Sequence, residues 1–307
     1  MTWQPDPSWT RMPAAGGPAT VGVWRGEDEG RRVVVKRLGR PGPGDPALLE
    51  DRTHAGYWRR ELDVALDTSW VDGPGLVPPR YLRAEEDADG ATVVAEEVVA
   101  ALDAGPPTSL LVARSLGRFA GSSSGAPAWA ARRTLTDRLA LAESRGGWPT
   151  LGRTTLADVS SHLWEQRGTW LGRRAAAPEG RLHGDAVPAN FVATRGEDVV
   201  AVDWQGFGVG PIGTDLGYYA LSAREDFEVL LETFLGGVAA VGAVVDADAV
   251  RVAATVMCVY TVLSRAEWAL SRVAPGEGAL AGKFNHPAVA PHLRALQRQG
   301  PQIEALL

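Results

Sequence analysis

The chain has 307 residues, enough to bury a sizeable core in one or two domains, and its 45% hydrophobic and 22% charged residues are ordinary globular composition. A net charge of −6 excludes the basic footprint of a nucleic-acid-binding surface. The single cysteine, Cys258, provides for neither an intrachain disulfide nor a zinc site; the first residues lack the charged-then-apolar order of a leader, and no run approaches the roughly 18 apolar residues of a membrane helix, so a cytoplasmic protein without a membrane partner is expected.

The first hundred residues read as sheet with one helix. WTRM (9–12) is a short strand, followed by the small-residue loop PAAGGPA (13–19). TVGVWRG (20–26), the turn EDEG (27–30) and RRVVVKRL (31–38) give an antiparallel meander, because β-branched residues sit between Gly-rich turns. Ala55, Trp58, Leu62, Ala65 and Leu66 recur at three and four residues and predict a helix over 51–68. PRYLRAEED (79–87), the turn ADG and ATVVAEEVVA (91–100) predict a second hairpin. After a boundary near 98–107 the texture turns helical: 108–121 opens on a Thr/Ser cap, and 129–144, 155–174 and most of the chain beyond 214 follow. The expectation is an α+β chain, with residues 1–98 as a small sheet-rich lobe and 99–307 as a larger helical lobe.

One stretch interrupts the helices: RLHGDAVPANFVATRGEDVVAVDWQGFG, 181–208, with strands predicted at its two ends. Asp185 and Asn190 are five apart with Pro188 between them. Proline removes a donor and restricts Val187, which forces an irregular loop where both side chains can face one cavity. Asp203 follows a return strand and can lie beside Asn190. A carboxylate with an amide oxygen is a poor zinc site and a suitable Mg²⁺ site. Asp185 could then orient an acceptor hydroxyl and take its proton, while His183 braces the loop. A polar hairpin turn would account for any one of these positions, though not for all four at this spacing.

Only two of the 31 basic residues are lysines, so Lys36 at the end of VVVK invites a chemical reason. From a strand its ammonium can reach phosphates, and Glu61, on the predicted helix, is a partner that could hold it. Gly16 and Gly17 lie in a loop whose N–H groups can approach anionic oxygens, although no Walker pattern occurs anywhere. The acidic run AREDFEVLLE (223–232), with Glu225 and Asp226, and the pair Glu267 and Trp268 could line a site for a cationic compound; solvated helix faces explain them equally well.

HGDxxPxN, then VDWQ, then GTDLGYYAL resembles the aminoglycoside phosphotransferase and choline kinase superfamily, relatives of the protein kinases, with VDWQ nearest an ecdysteroid-kinase-like branch. The resemblance implies a two-lobed protein-kinase-like fold, with a small antiparallel-sheet N-lobe bearing one helix and a larger mainly helical C-lobe. It also implies transfer of a phosphoryl group from ATP (or GTP), with Mg²⁺, to a small-molecule hydroxyl. By position it makes Asp185 the catalytic base, Asn190 and Asp203 the metal ligands, and Lys36 and Glu61 the phosphate-holding pair. The Glu96 carbonyl and Val98 N–H would meet the nucleotide base, and Asp215 would cap a helix and brace the catalytic loop. Gln205 stands where many relatives carry a carboxylate, and the Gly16–Gly17 loop has no recognisable signature. The acceptor is open between an antibiotic such as an aminoglycoside or nucleoside, an amino sugar and a related metabolite, and under this reading Glu225, Asp226, Glu267 and Trp268 are candidates to line its site. The alternatives are a kinase-like protein without turnover and a simple binding module.

Overall fold

Strand β3 (Arg31–Gly39) lies at the centre of a five-stranded antiparallel sheet and shows how the alternation in RRVVVKRLG is used. Successive side chains of a strand point to opposite faces. Val33 and Val35 therefore face one way, into a small cluster with Val94 that Trp3 and Trp9 cover. Lys36 and Leu38 face the other way, where Leu38 packs with Tyr57, Trp58, Leu62, Ala91 and Val93. The computed structural model describes residues 3–13, 17, 19–98, 105–122, 125–273, 282 and 284–307. The sheet order is β1 (Thr10–Arg11), β2 (Thr20–Asp28), β3, β6 (Gly90–Glu96), β5 (Tyr81–Asp87). Glu29 and Gly30 make the two-residue β2–β3 turn, both at positive φ, the geometry that matches the twist of the flanking strands.

The helix predicted over 51–68 is only half present. α1 runs Arg60–Leu66, and the residues before it form turns. The reason is local: the Asp51 carboxylate accepts the Thr53 N–H and the His54 ring accepts the Gly56 N–H, so side chains take donors that a helix would need.

The helical region contains α2 (Ser109–Gly121), α3 (Thr134–Ser144), α4 (Ala157–Glu165), α5 (Arg167–Arg174), α6 (Thr214–Tyr219), α7 (Phe227–Ala240), α8 (Ala247–Val273), α9 (Ala290–Arg298) and α10 (Gly300–Glu304). Thr108 caps α2 by accepting the Leu111 N–H, as expected. One core runs through these helices and takes in Val64, Val71 and Leu76 from the sheet side. By length and composition α8 could cross a membrane, contrary to the sequence expectation, with a mean hydropathy of 1.4 over 18 residues; 72% of that window is buried inside the protein, as in a core helix.

The 181–208 stretch folds into more strands than expected. β7 (Glu179–Leu182) pairs antiparallel with β10 (Gly208–Pro211), and β8 (Phe191–Arg195) forms a hairpin with β9 (Asp198–Ala201). A two-residue strand, β4 (Leu76–Val77), runs parallel to β9 and fixes the sheet side to this hairpin.

Candidate active site

The loop after β7 is held from behind. His183 is fully buried, with its ring 4.6 Å from Trp204 and 5.5 Å from Phe191. Its Nδ1 faces the Asp185 N–H at 3.3 Å and must accept; the ring proton therefore sits on Nε2 and is donated to the Val202 carbonyl at 3.0 Å. The Asp215 carboxylate, on the first turn of α6, accepts the N–H groups of His183 (2.6 Å) and Gly184 (3.0 Å). Burial pushes the Asp215 carboxyl up, and these two backbone donors oppose it. Gly184 has φ +81°, and a Cβ there would lie 1.8 Å from the Gly206 carbonyl oxygen, so the loop bearing Asp185 and the loop beyond Asp203 touch through backbone alone.

Val187 is extended, as the residue before proline must be, and Pro188–Asn190 forms a single tight turn. That turn brings the Asn190 Nδ2 to the Asp185 carbonyl (2.9 Å) and to Asp185 Oδ2 (3.1 Å). The amide nitrogen is thereby occupied, which leaves Asn190 Oδ1 as its free end. The Val202 N–H donates to the Asn190 carbonyl at 2.9 Å, which sets Asp203 beside this turn.

Asp203 has φ 65° and ψ 59°, in the left-handed region. Such a conformation in a residue with a Cβ costs about 1–2 kcal/mol and persists where the surroundings over-determine it. Here it aims the carboxylate at the sheet side. Lys36 Nζ donates to Asp203 Oδ1 at 2.5 Å and to Glu61 Oε2 at 2.9 Å. Burial works against the Lys36 charge, but Glu61 and Asp203 outweigh it and hold the ammonium above its ordinary range. Burial likewise pushes the Glu61 carboxyl up against the pull of Lys36. The two short contacts from one ammonium decide for the ion pair. The Tyr81 hydroxyl, buried beside Glu61 and Asp203, has no partner among the described residues.

Sequence reading missed Arg60. Its side chain is fully buried and spends all five N–H groups on backbone carbonyls: Nε on Trp129, Nη1 on Ala55 and Gln205, Nη2 on Arg52 and His54, at 2.7–3.1 Å. Burial pulls its pKa down to about 10, against the opposing pull of Tyr57, Asp137 and Asp51. It precedes Glu61 and bonds two residues beyond Asp203, so it bolts the helix bearing one to the loop bearing the other. Nothing in the periodicity of YWRRELD separates it from Arg59, which pairs with Asp63 and Glu86 nearer the surface.

The remaining predicted residues lie as follows. Gly17 packs against the Gln205 side chain, and a Cβ on it would meet Gln205 Oε1 at 2.1 Å; Gly16 lies outside the described residues. Glu96 ends β6, with its carboxylate near Arg80, and Val98 follows, half-buried. Glu225 and Asp226 line a cavity of about 440 Å³ beside α7 and α9, together with Arg224 and Arg298; Glu225 Oε2 is buried without a partner among the described residues. Glu267 corrects its expected place in an acceptor site: it is buried, and both its oxygens accept backbone N–H groups, from Thr150 and Leu151. Trp268 is exposed and stacked by Arg272.

Two lobes, an ammonium held between two carboxylates and an Asp–Asn loop across from it define a kinase-like phosphotransferase. A sequence model of the phosphotransferase enzyme family (APH) matches residues 22–246, and the chain belongs to that family. Among solved structures, a choline/ethanolamine kinase family protein from Mesorhizobium loti is similar at 20% identity and a TM-score of 0.54, over 95% of this chain and 92% of that one. The aminoglycoside phosphotransferase APH(3'')-Id from Streptomyces rimosus, solved with ADP and streptomycin, is similar at 18% identity and 0.53, over 83% and 94%. An amicoumacin kinase, hAmiN, solved with AMP-PNP and Ca²⁺, is similar at 14% identity and 0.58, over 98% and 93%. At these identities the likeness shows the two-lobed kinase-like fold. A comparison with curated protein sequences returns no match.

Proposed function

We propose that the protein transfers the terminal phosphoryl group of ATP (or GTP) to a hydroxyl of a small molecule in the cytoplasm, with the nucleotide on the lobe formed by residues 1–98 and the acceptor on 99–307. The observation that carries this is the Lys36 ammonium bridging Glu61 and Asp203 while Asp185 and Asn190 stand on the adjoining loop. The donor set fits Mg²⁺: Asp203 and the free Oδ1 of Asn190 are hard oxygens, and no group of three His, Cys, Asp or Glu among the described residues competes as a transition-metal site. Asn190 and Asp203 would hold the ion together with nucleotide oxygens, and bound Mg²⁺ would supply charge neutralisation at the phosphates.

The chain's own residues do the rest. Asp185 accepts the proton of the attacking hydroxyl and fixes its line of approach, and Asn190 holds the Asp185 carboxylate in one orientation. Lys36, steadied by Glu61, neutralises phosphate charge, while Asp215 and His183 keep the loop backbone in place. The Glu96 carbonyl and Val98 N–H would take the base, and the Gly16–Gly17 loop would close over the phosphates. Phosphate transfer from γ-labelled ATP across a panel of hydroxyl compounds tests this. Transfer by the wild type that Asp185→Asn abolishes is expected; undiminished transfer by Asp185→Asn contradicts the assignment. A kinase-like protein without turnover has less support, because base, metal ligands, lysine and glutamate are all present and two direct contact sets join them. The acceptor candidates include compounds like those named for the structural neighbours, such as an aminoglycoside or choline, which would point to antibiotic modification or a metabolic role.

A further inference from the structure

Two arginine stacks converge on one ring. The guanidinium carbons of Arg138 (α3) and Arg265 (α8) lie 5.5 and 4.4 Å from the ring centroid of Tyr218 (α6). Tyr218 is buried and both arginines are half-buried. Elsewhere, a sheltered arginine on an aromatic face also finds an oxygen: Arg37, Arg60, Arg167 and Arg181 each donate to at least one. Arg173 and Arg272 stack without such a partner, but they are exposed and have water. Arg138 and Arg265 are sheltered and have no hydrogen-bond or ion-pair partner among the described residues, and the Arg138 Nε is buried outright.

The carboxylates on the surrounding elements are committed elsewhere. Asp137 holds the Ala55 N–H, His54 and Arg133, Glu143 pairs with Arg167, and Glu267 caps the turn at Thr150 and Leu151. His292 on α9 is near enough to Arg265 that this charge adds to burial in pulling the imidazole down. The charge is also segregated in sequence: residues 129–174 carry eight arginines against four carboxylates in a chain whose net charge is −6. Two half-buried guanidinium groups stacked on one ring repel each other, and sheltering part of each from water without a counter-charge has a cost. Their planar forks match a carboxylate, sulfate or phosphate in two-point contact.

Two of the three helices that carry the cluster, α3 and α6, are tied to the crevice. Ala131, just before α3, donates to the Phe207 carbonyl and accepts from the Val209 N–H, directly behind Gln205. The first turn of α6 supplies Asp215 to the backbone of His183 and Gly184.

We propose that Arg138 and Arg265, set about Tyr218, form a subsite for an anionic group on the acceptor, an inference that rests on the phosphotransferase reading above. The substrate class is an alcohol that also bears an acid group, and a polycationic aminoglycoside is disfavoured because the same charges repel it.

Inorganic sulfate titrated into the full chain by calorimetry at low salt is the direct probe. Wild type is expected to bind at one site, and Arg138→Gln and Arg265→Gln each to weaken binding by roughly tenfold, the worth of one charge-assisted contact. Arg195→Gln, at an exposed arginine on β8, is expected to bind like wild type. Arg265→Lys keeps the charge but loses the fork and should fall between; melting temperatures recorded alongside separate lost binding from lost folding. Absence of sulfate binding, or equal binding by wild type and both glutamine variants, overturns the subsite. In a labelled-ATP panel, gluconate is expected to be turned over in preference to uridine, choline and streptomycin, with a KM for gluconate that rises in Arg265→Gln more than kcat falls. Preference for streptomycin or choline overturns it too. If sulfate binding follows the arginines while Asp185→Asn keeps full turnover, the crevice assignment fails and the subsite stands; the opposite pair of results removes only the subsite.

Discussion

The two sides of the crevice are held in place by different physics. On the helical side, the loop bearing Asp185 and Asn190 rests on His183, Phe191 and Trp204, which pack into the core that runs through most of the chain. On the sheet side, Val64 of α1 reaches that core, but Lys36 and the rest of α1 rest on a cluster of six buried residues on one face of the sheet, with three on the other. Packing that thin does not fix an ammonium to within tenths of an ångström. The sheet side makes up for it with polar bolts that reach across: Lys36 to Asp203, and Arg60 to the carbonyls of Trp129 and Gln205. A site residue on a small lobe is positioned by what it is tied to, and one on a large lobe by what it is packed against.

That contrast can be broken by substitution. The largest effect is expected at Asp185. Asp185→Asn should lower the transfer rate by about 10²–10⁴-fold, the usual range for a positioned base, and leave nucleotide affinity and melting temperature unchanged, because the loop beneath it is held by packing. On the sheet side, the same kind of change should cost stability. Lys36→Met leaves two carboxylates facing each other in a buried site and should destabilise by about 3–5 kcal/mol in denaturant titration. Glu61→Gln should cost less, since Asp203 still holds the ammonium. Arg60→Met strips donors from five backbone carbonyls, at about 1–3 kcal/mol for each acceptor left unpaired and away from water, whereas Arg59→Met, which breaks the part-exposed pairs with Asp63 and Glu86, should cost less. Equal melting temperatures for the two arginine variants would remove the bolt from the account.

The smallest effect is a pH dependence. Arg37, first among its partners, holds the Asp87 carboxyl down to about 2 from an ordinary 3.8. A depressed carboxylate contributes stability above its unfolded value and loses it as pH falls through its folded one. The contribution should therefore be complete near neutrality and fade between pH 3.8 and about 2. Asp87→Asn should lower the melting temperature slightly at pH 7 and not at all at the acid end of that window.

Much of this was legible in the sequence because it is local. β2, β3, β5 and β6 follow from two-residue alternation between turn residues, and HGD, Asn190 and Asp203 from the loop that Pro188 enforces. The failures are non-local. β4 is two residues long and exists only because β9 lies alongside. β10 is likewise defined by β7, well back in the chain, whereas β8 pairs with the adjoining β9 in a local hairpin that the reading of 181–208 passed over. The stretch 51–59 has helical spacing, but its side chains capture its own backbone donors. Arg60 and Arg59 are indistinguishable until carbonyls from three other segments surround one of them. Glu267 shows the reverse: an acidic residue that looked available for a ligand is consumed by two backbone N–H groups.

The central claim is that Asp203 brings a divalent ion and a nucleotide together beside Lys36. Calorimetric titration of AMP-PNP with and without Mg²⁺, into wild type, Asp203→Asn and Asp185→Asn, tests it most directly. The account predicts that Mg²⁺ tightens binding to wild type and to Asp185→Asn and leaves Asp203→Asn unaffected. The same Mg²⁺-dependent gain in Asp203→Asn as in wild type would contradict it.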